Sequence, residues 1–369
     1  MNKIFFLKKR TFYVLMMCLT SCIVLRIMLH AQESVPKLID AKWLKENLSR
    51  ENMRIVDVRD DVKEYWKGHI PGAVYLDPEA MKWPQGGVPV KLIRPAAFVE
   101  LLGEMGIDRN TFVIAYSERG DFSAPYLVWA LDYIGHEKSA VLDGGFLKWE
   151  KEKGAVTQDY PQIGSERYPP PSGLNENVRA TLKQVEQSIG QEDVLVLDVR
   201  TEALYTGEAG VWKRRGHIQG AVHHFWGDDM NEDGTWKEAK EIRRIYETLG
   251  ATPDKTIIVS CGQGSMSSHT YFTLKHVLGY PKVKHYDGSF HEWSNLEELP
   301  VQSGRSAGPD PEKLLQNRCT ACHNLDRVHK QKEDAAGWEK IIDRMIKRGT
   351  KLNETERMML VDFLSKKGK

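Results

Sequence analysis

Five cysteines hold most of the chemistry this sequence can do, and they fall into three groups. Cys18 and Cys22 lie in an apolar N-terminal run, Cys319 and Cys322 flank two residues with His323 directly after, and Cys261 stands by itself. The setting of Cys261 reads as that of a nucleophile. It follows an apolar strand pattern, Ile257-Ile258-Val259-Ser260, and Gly262 and Gly264 come directly behind it. Those glycines let a loop curl until several backbone N–H groups face one centre beside the start of the next helix. Such a nest, together with the helix dipole, stabilises an anion and so favours a thiolate. Cys261 is therefore the candidate catalytic residue, and Gly262, Gln263, Gly264, Ser265, Met266 and Ser267 form the candidate substrate-binding loop. The same cradle suits a persulfide, Cys–S–S⁻. The bland reading is an inert buried thiol. A phosphate-binding cysteine loop needs an arginine six residues on for bidentate contact; Ser267 stands there, which argues against a cysteine phosphatase.

Cys319-Thr320-Ala321-Cys322-His323 is a CxxCH unit. Two thiols at that spacing reach both vinyl groups of one haem, and the adjacent histidine reaches the iron. Cys319 and Cys322 are the candidate attachment points of one covalent haem c, with His323 as an iron ligand. The alternative is a zinc half-site, which His329 could extend.

The elements that must position these residues start after an address. Lys3, Lys8, Lys9 and Arg10 precede the apolar run Thr11 to Leu25, the arrangement of an export signal. Residues 1–31 read as a cleaved signal peptide ending at Leu29-His30-Ala31, as a lipoprotein signal with its lipid on Cys22, or as an uncleaved anchor interrupted by Arg26. Each places the rest of the chain outside the cytoplasm, periplasmic or otherwise exported, with any membrane contact through this segment alone. An unpaired Cys261 is notable there, because structural cysteines of exported proteins normally pair.

The chain has 369 residues with 52 Lys+Arg against 51 Asp+Glu, a net charge of +1. That balance argues against nucleic acid as a partner, which needs concentrated positive charge. Two segments then repeat. IVDVRDDVKEYWKGHIPGAV (Ile55 to Val74) matches VLDVRTEALYTGEAGVWKRRGHIQGAV (Val196 to Val222). TFVIAYSERGDFSA (Thr111 to Ala124) matches TIIVSCGQGSMSS (Thr256 to Ser268), and Ser117 is as far from Asp143 as Cys261 is from Asp287, 26 residues in each copy. Short apolar runs alternate with helical patterns such as Pro95 to Leu102 and Ala124 to Tyr133. The fold class expected is α/β: two doubly wound, mainly parallel-sheet domains over residues 36–157 and 174–303, then a small all-α domain over 308–369. Ligands of such sheets sit at the carboxyl ends of strands, which is where the Cys261 loop falls.

The two copies resemble tandem rhodanese domains, the architecture of thiosulfate and 3-mercaptopyruvate sulfurtransferases. The resemblance rests on Asp198-Val199-Arg200, Gly216-His217-Ile218-Gln219-Gly220-Ala221, the cysteine loop and Tyr286-Asp287-Gly288-Ser289-Phe290. It implies that Cys261 takes a sulfane sulfur from a small donor (thiosulfate, polysulfide or 3-mercaptopyruvate) and passes it to a thiophilic acceptor such as a thiol or cyanide. It also implies a first domain without the thiol, Ser117 standing in its place, that walls the cleft. Two departures concern the substrate. Gly262 and Gln263 replace the basic residues of thiosulfate-type members, and Leu204 stands where mercaptopyruvate-type members clamp the carboxylate with an arginine. Arg200 is the candidate replacement, with Arg214 and Arg215 behind it. His217 reads as structural, since His69 repeats it in the copy that lacks the thiol.

The tail from Gly308 resembles a small cytochrome c domain, in the order CxxCH, Trp338, Arg344-Met345 and a final helix Asn353 to Lys366. By that resemblance Met345 is the second axial metal ligand, with Met358, Met359 and His329 as rivals. The tail carries 14 Lys and Arg against 10 Asp and Glu, a net +4 suited to an acidic redox partner protein. The leading expectation is an exported sulfurtransferase with an attached haem for electron transfer. Two others remain: a haem electron-transfer protein whose rhodanese pair only binds or carries persulfide, and a sulfide- or thiosulfate-oxidising enzyme.

Overall fold

Residues 35–304, 311–320, 324–350, 352 and 354–367 are described by a computed structural model. The export segment, Cys322 and His323 lie outside the described residues. Among the described residues no helix is long and apolar enough to cross a membrane.

The first copy contains strands β1 (Leu38–Ile39), β2 (Met53–Asp57), β3 (Val74–Tyr75), β4 (Lys82–Gln85), β5 (Val88–Leu92), β6 (Phe112–Tyr116) and β7 (Ser139–Leu142). Five of them form one sheet in the order β1-β7-β6-β2-β3, all pairs parallel, while β4 and β5 make a separate antiparallel hairpin. Its helices are α1 (Ala41–Asn47), α2 (Val62–Lys67), α3 (Pro95–Glu104), α4 (Ser123–Tyr133) and α5 (Gly145–Lys151).

The second copy repeats the plan with β8 (Val194–Asp198), β9 (His217–Ile218), β10 (Val222–His223), β11 (Thr256–Ser260), β12 (Val283–His285) and β13 (Val301–Gln302). The sheet order is β10-β8-β11-β12, again parallel, and β9 pairs antiparallel with β13. Its helices are α6 (Leu182–Ser188), α7 (Glu202–Thr206), α8 (Ala239–Thr248), α9 (Ser267–Phe272) and α10 (Ser289–Ser294). A capping box between Thr181 and Gln184 satisfies the first backbone donors of α6 and fixes where the copy's first helix begins.

The apolar runs are continuous because each strand is covered on both faces, as parallel sheets require. Along β11, Ile257 and Val259 pack into one core and Ile258 into the other. The first of these cores crosses between the copies. Leu127, Val128 and Leu131 of α4 meet Tyr271, Phe272 and Leu274 in and after α9, all fully buried. At ~1.5–3 kcal/mol for each large apolar side chain buried, this seam stabilises the packing of one copy on the other. A π-helical turn, Thr273–Val277, follows α9 and lets Tyr271 and His276 both reach Asp132 of α4, at 3.1 and 2.6 Å.

The tail is helical: α11 (Pro311–Cys319), α12 (Asp326–Lys330), α13 (Ala335–Lys347) and α14 (Glu354–Lys367). It has its own core of Leu314, Leu315, Trp338, Ile342, Leu360, Val361 and Leu364, and α14 lies against α8.

Candidate active site

Register places the chemistry. Ser260, the last residue of β11, pairs with Asp198 at the end of β8, and Val259 pairs with His285 at the end of β12. The chain leaving these three strands therefore carries Arg200, Cys261 and Ser289 to one edge of the sheet, the ligand edge of such folds.

Cys261 is 1% exposed. Its Sγ accepts the Gly264 N–H at 3.1 Å, with the Ser267 hydroxyl at 3.4 Å and the Ser289 hydroxyl at 3.8 Å. The expected ring of several amides is thus one amide among the described residues, with the Ser267 hydroxyl placed between Sγ and the Gly264 carbonyl, 3.1 Å from the latter. The reason is local: the N–H groups of Ser268 and His269 are taken by the carbonyls of Ser265 and Met266 as α9 begins. Gly264 has φ +87°, and a Cβ there would come within 2.4 Å of the Asp287 carbonyl oxygen, so only glycine turns this N–H toward sulfur. The Gly264 carbonyl is held in turn by His285, whose Nε2–H donates to it at 2.6 Å. Burial pushes the His285 imidazole down to about 3, so the ring is neutral and the proton facing the carbonyl stays on Nε2.

Ser289 closes the other side. Its hydroxyl donates to the Tyr286 carbonyl at 2.7 Å and accepts the Cys261 N–H at 3.1 Å. Gln263 is exposed, Ser265 and Met266 are half-buried, and Gly262 lies under the ring of Trp212.

Arg200 is fully buried. Its Nε and Nη2 grip both carboxylate oxygens of Asp198 at 2.5–3.1 Å, Nη2 also donates to the Gly216 carbonyl at 2.7 Å, and the guanidinium lies over Phe290. Arg214 is committed elsewhere, donating to the carbonyls of Trp293 and Ser294 at the end of α10 and of Leu296 and Leu299 after it, which excludes it as a carboxylate clamp. Arg215 is exposed. His217 is structural as expected: Nδ1 meets the Tyr205 carbonyl at 2.8 Å and the ring stacks on Tyr205 at 3.8 Å. His69 makes the same pair with Tyr65, at 2.9 and 3.8 Å.

The first domain supplies a wall. Asp287, entirely buried behind Gly264, accepts the Leu92 N–H at 3.0 Å and the Tyr126 hydroxyl at 3.4 Å, both from that domain. Burial raises its carboxyl and the Arg179 guanidinium opposes the rise. Lys91 of β5 pairs with Glu292 of α10 at 3.0 Å.

Three site residues escaped the sequence reading: Trp212, His285 and the hydroxyl of Ser289. Signals existed for two of them. The second copy of the first repeat segment is 27 residues long against 20, and Trp212 lies in the extra stretch. Ser289 replaces Gly145 of the first copy, whose φ is +61°.

In the tail, Cys319 and Met345 line one cavity of about 640 Å³, together with Leu315, Trp338, Ile342 and Leu360. That volume falls in the ~300–1,000 Å³ range of cofactor and small-molecule sites. Among the described residues the Trp338 Nε1–H is buried there without a partner. Burial pushes the Cys319 thiol up.

The rhodanese-like domain family model matches twice, over residues 40–152 and 181–296. The sulfur carrier protein TtuD of Thermus thermophilus is 36% identical over 278 residues, 72% of this chain and 96% of its own. A thiosulfate sulfurtransferase of Pseudomonas aeruginosa is 32% identical, covering 73% of this chain and 97% of its own. The crystal structure of SseA from Escherichia coli, described as a 3-mercaptopyruvate sulfotransferase, is similar with a TM-score of 0.63 and 30% identity, over 69% of this chain and 99% of that one.

Proposed function

This chain belongs to the rhodanese family and is a sulfurtransferase of the thiosulfate or 3-mercaptopyruvate type, and from that premise we propose that Cys261 carries the sulfur as a persulfide. With thiosulfate, the Cys261 thiolate attacks the outer sulfur, the S–S bond breaks, and sulfite leaves with its electron pair. With 3-mercaptopyruvate, the C–S bond breaks instead, and the thiol proton ends on carbon to give pyruvate. A thiol or cyanide then attacks the outer sulfur of Cys–S–S⁻ and restores the thiolate.

The observation that carries this reading is the polar setting of Sγ, which accepts the Gly264 N–H and has the Ser267 hydroxyl 3.4 Å away. Hydrogen bonds to an ionised acceptor are about twice as strong as neutral ones, and both thiolate and persulfide are such acceptors. Incubation with thiosulfate or 3-mercaptopyruvate should add one sulfur to the Cys261 peptide, and cyanide should remove it as thiocyanate. Cys261→Ser should abolish both. The similarity to a protein named a sulfur carrier favours a second reading, in which persulfide forms but small acceptors do not turn it over. Loading without thiocyanate release would select it.

The tail, in this proposal, holds one covalent haem c through Cys319 and Cys322, with His323 and Met345 on the iron. The apolar cavity shared by Cys319 and Met345 supports it, and Trp338 Nε1–H is a ready donor for a haem carboxylate. When bound, a haem supplies one-electron exchange, and a thioether ligand raises its potential relative to imidazole. Leu315, Ile342 and Leu360 give the cavity an apolar wall. Export of the chain and an acidic redox partner complete the reading, which rests on the basic, apolar N-terminus and on the tail's +4 charge. Expression with haem-attachment machinery outside the cytoplasm should yield covalent haem, lost in a Cys319→Ala, Cys322→Ala double variant. Reduction of that haem by thiosulfate, dependent on Cys261, would turn the proposal toward an oxidising enzyme.

A further inference from the structure

Between helix and histidine the two copies differ in length. In the first, Gly68 alone separates the end of α2 at Lys67 from His69; in the second, ten residues, 207–216, separate α7 from His217. This strap belongs to the thiol-bearing copy only, and it carries Trp212. The indole lies over Gly262, the residue after Cys261, so closely that a Cβ on Gly262 would come within 2.8 Å of it. It meets Phe290 edge-on at 5.5 Å and lies 5.1 Å from the Arg200 guanidinium. Cys261 itself is 1% exposed, yet sulfur transfer requires its Sγ to meet two reactants in turn.

The strap is held mainly by side chains. Among the described residues, no backbone N–H of residues 210–215 donates to a backbone carbonyl. Gly207 and Gly210 lead into it at φ +85° and +134°, a region that glycine enters without steric cost. Lys213 pairs with Glu297 at 2.5 Å on the surface, and Arg214 ties the far end to the carbonyls of Ser294 and Leu299. Val211, beside the indole, is 94% exposed. The seated ring also leaves its own Nε1–H buried and unpartnered among the described residues, which costs ~1–3 kcal/mol. A segment with few backbone hydrogen bonds and a penalty in its closed position opens locally at small cost.

We propose that Trp212 is a specificity-determining gate: the strap holds its ring against the Cys261 loop and sets how bulky a sulfur acceptor reaches the persulfide. Compact thiophiles such as cyanide or a small unbranched thiol attack the outer sulfur of Cys–S–S⁻ past the ring, the S–S bond breaks, and the Cys261 thiolate leaves with the electron pair. Branched or protein-borne thiols collide with the indole and wait for the strap to swing out. The gate rests on the sulfurtransferase reading and adds an acceptor class to it. The first copy, with no thiol to guard, has no strap.

The test compares two neutral reagents with the same reactive carbon, iodoacetamide and N-tert-butyl iodoacetamide, on the full-length protein, following the Cys261 peptide by mass. For wild type the ratio of branched to compact rates should fall below that of glutathione measured alongside. Trp212→Ala should raise the ratio about tenfold, the low end of what one steric contact discriminates. Lys213→Glu, which sets like charge against Glu297 and leaves the ring in place, should shift it the same way by less, and it keeps the test valid where Trp212→Ala fails to fold. On sulfur-loaded protein, Trp212→Ala should also speed discharge by penicillamine, a branched thiol, more than discharge by cyanide. A wild-type ratio equal to that of glutathione, or one unmoved in the folded variants, overturns the gate. A ratio that moves as expected in a protein that takes no sulfur from any donor leaves Trp212 as the gate to Cys261 and overturns the sulfurtransfer reading instead.

Discussion

The hydroxyl of Ser289 accepts the Cys261 amide proton across 3.1 Å from a backbone held at φ +50°. A side-chain-bearing residue in that region costs ~1–3 kcal/mol, and the first copy avoids the cost with Gly145. Ser289→Gly would remove the strain and also orphan a buried N–H, a loss of ~1–3 kcal/mol. Stability should change little by chemical denaturation, while the rate of persulfide formation falls. An unchanged rate would assign Ser289 no part in the site.

His285 is the support beneath Gly264. His285→Leu leaves the Gly264 carbonyl with the Ser267 hydroxyl alone and should lower stability by ~0.5–1.5 kcal/mol, the net worth of one hydrogen bond. It should also slow Cys261 alkylation by iodoacetamide, because the Gly264 N–H is no longer aimed at sulfur. His285→Gln offers an N–H at similar reach and should recover part of both. Since the imidazole titrates near 3, no step in activity above pH 4 should trace to it.

Asp143 and Asp287 cross the domain boundary in opposite directions: Asp143 accepts the Trp236 N–H at 2.9 Å and Asp287 the Leu92 N–H at 3.0 Å. Burial lifts the Asp143 carboxyl from 3.8 to about 6. The folded state then binds more protons than the unfolded one between those values, so stability falls as pH rises through this window. The loss amounts to ~3 kcal/mol at full ionisation. Asp143→Asn keeps an acceptor for Trp236 without the charge. Its unfolding free energy should match wild type near pH 4 and exceed it by up to that amount at pH 7. Parallel curves would refute the assignment.

If the tail holds the proposed haem c with Met345 on its iron, exchange of that thioether for an imidazole should lower the midpoint potential, read by redox titration of Met345→His. An unaltered potential would pass the ligand role to another side chain. Sulfur transfer from thiosulfate to cyanide should be equal in both proteins, because Cys261 and its donors belong to the second sheet.

Local pattern made much of this protein legible. Strands β2, β6, β8 and β11 are read from apolar runs, and α3 and α4 extend only two residues and one residue beyond the stretches expected, Pro95–Leu102 and Ala124–Tyr133. The duplication, the Cys261 loop and the structural histidines His69 and His217 follow from the same short-range signals. Helix and strand periods and glycine turns depend on residues within a few positions of one another.

Tertiary packing decided the rest. Leu92 and Asp287 are 195 positions apart, and no local period links them. That the Gly264 carbonyl is held while its N–H faces sulfur depends on His285 arriving beside it from another strand. That Arg200 is held by Gly216 and Phe290 as well as by Asp198 is decided only by the fold, since hydrogen-bond satisfaction belongs to groups that meet in space and not to residue type.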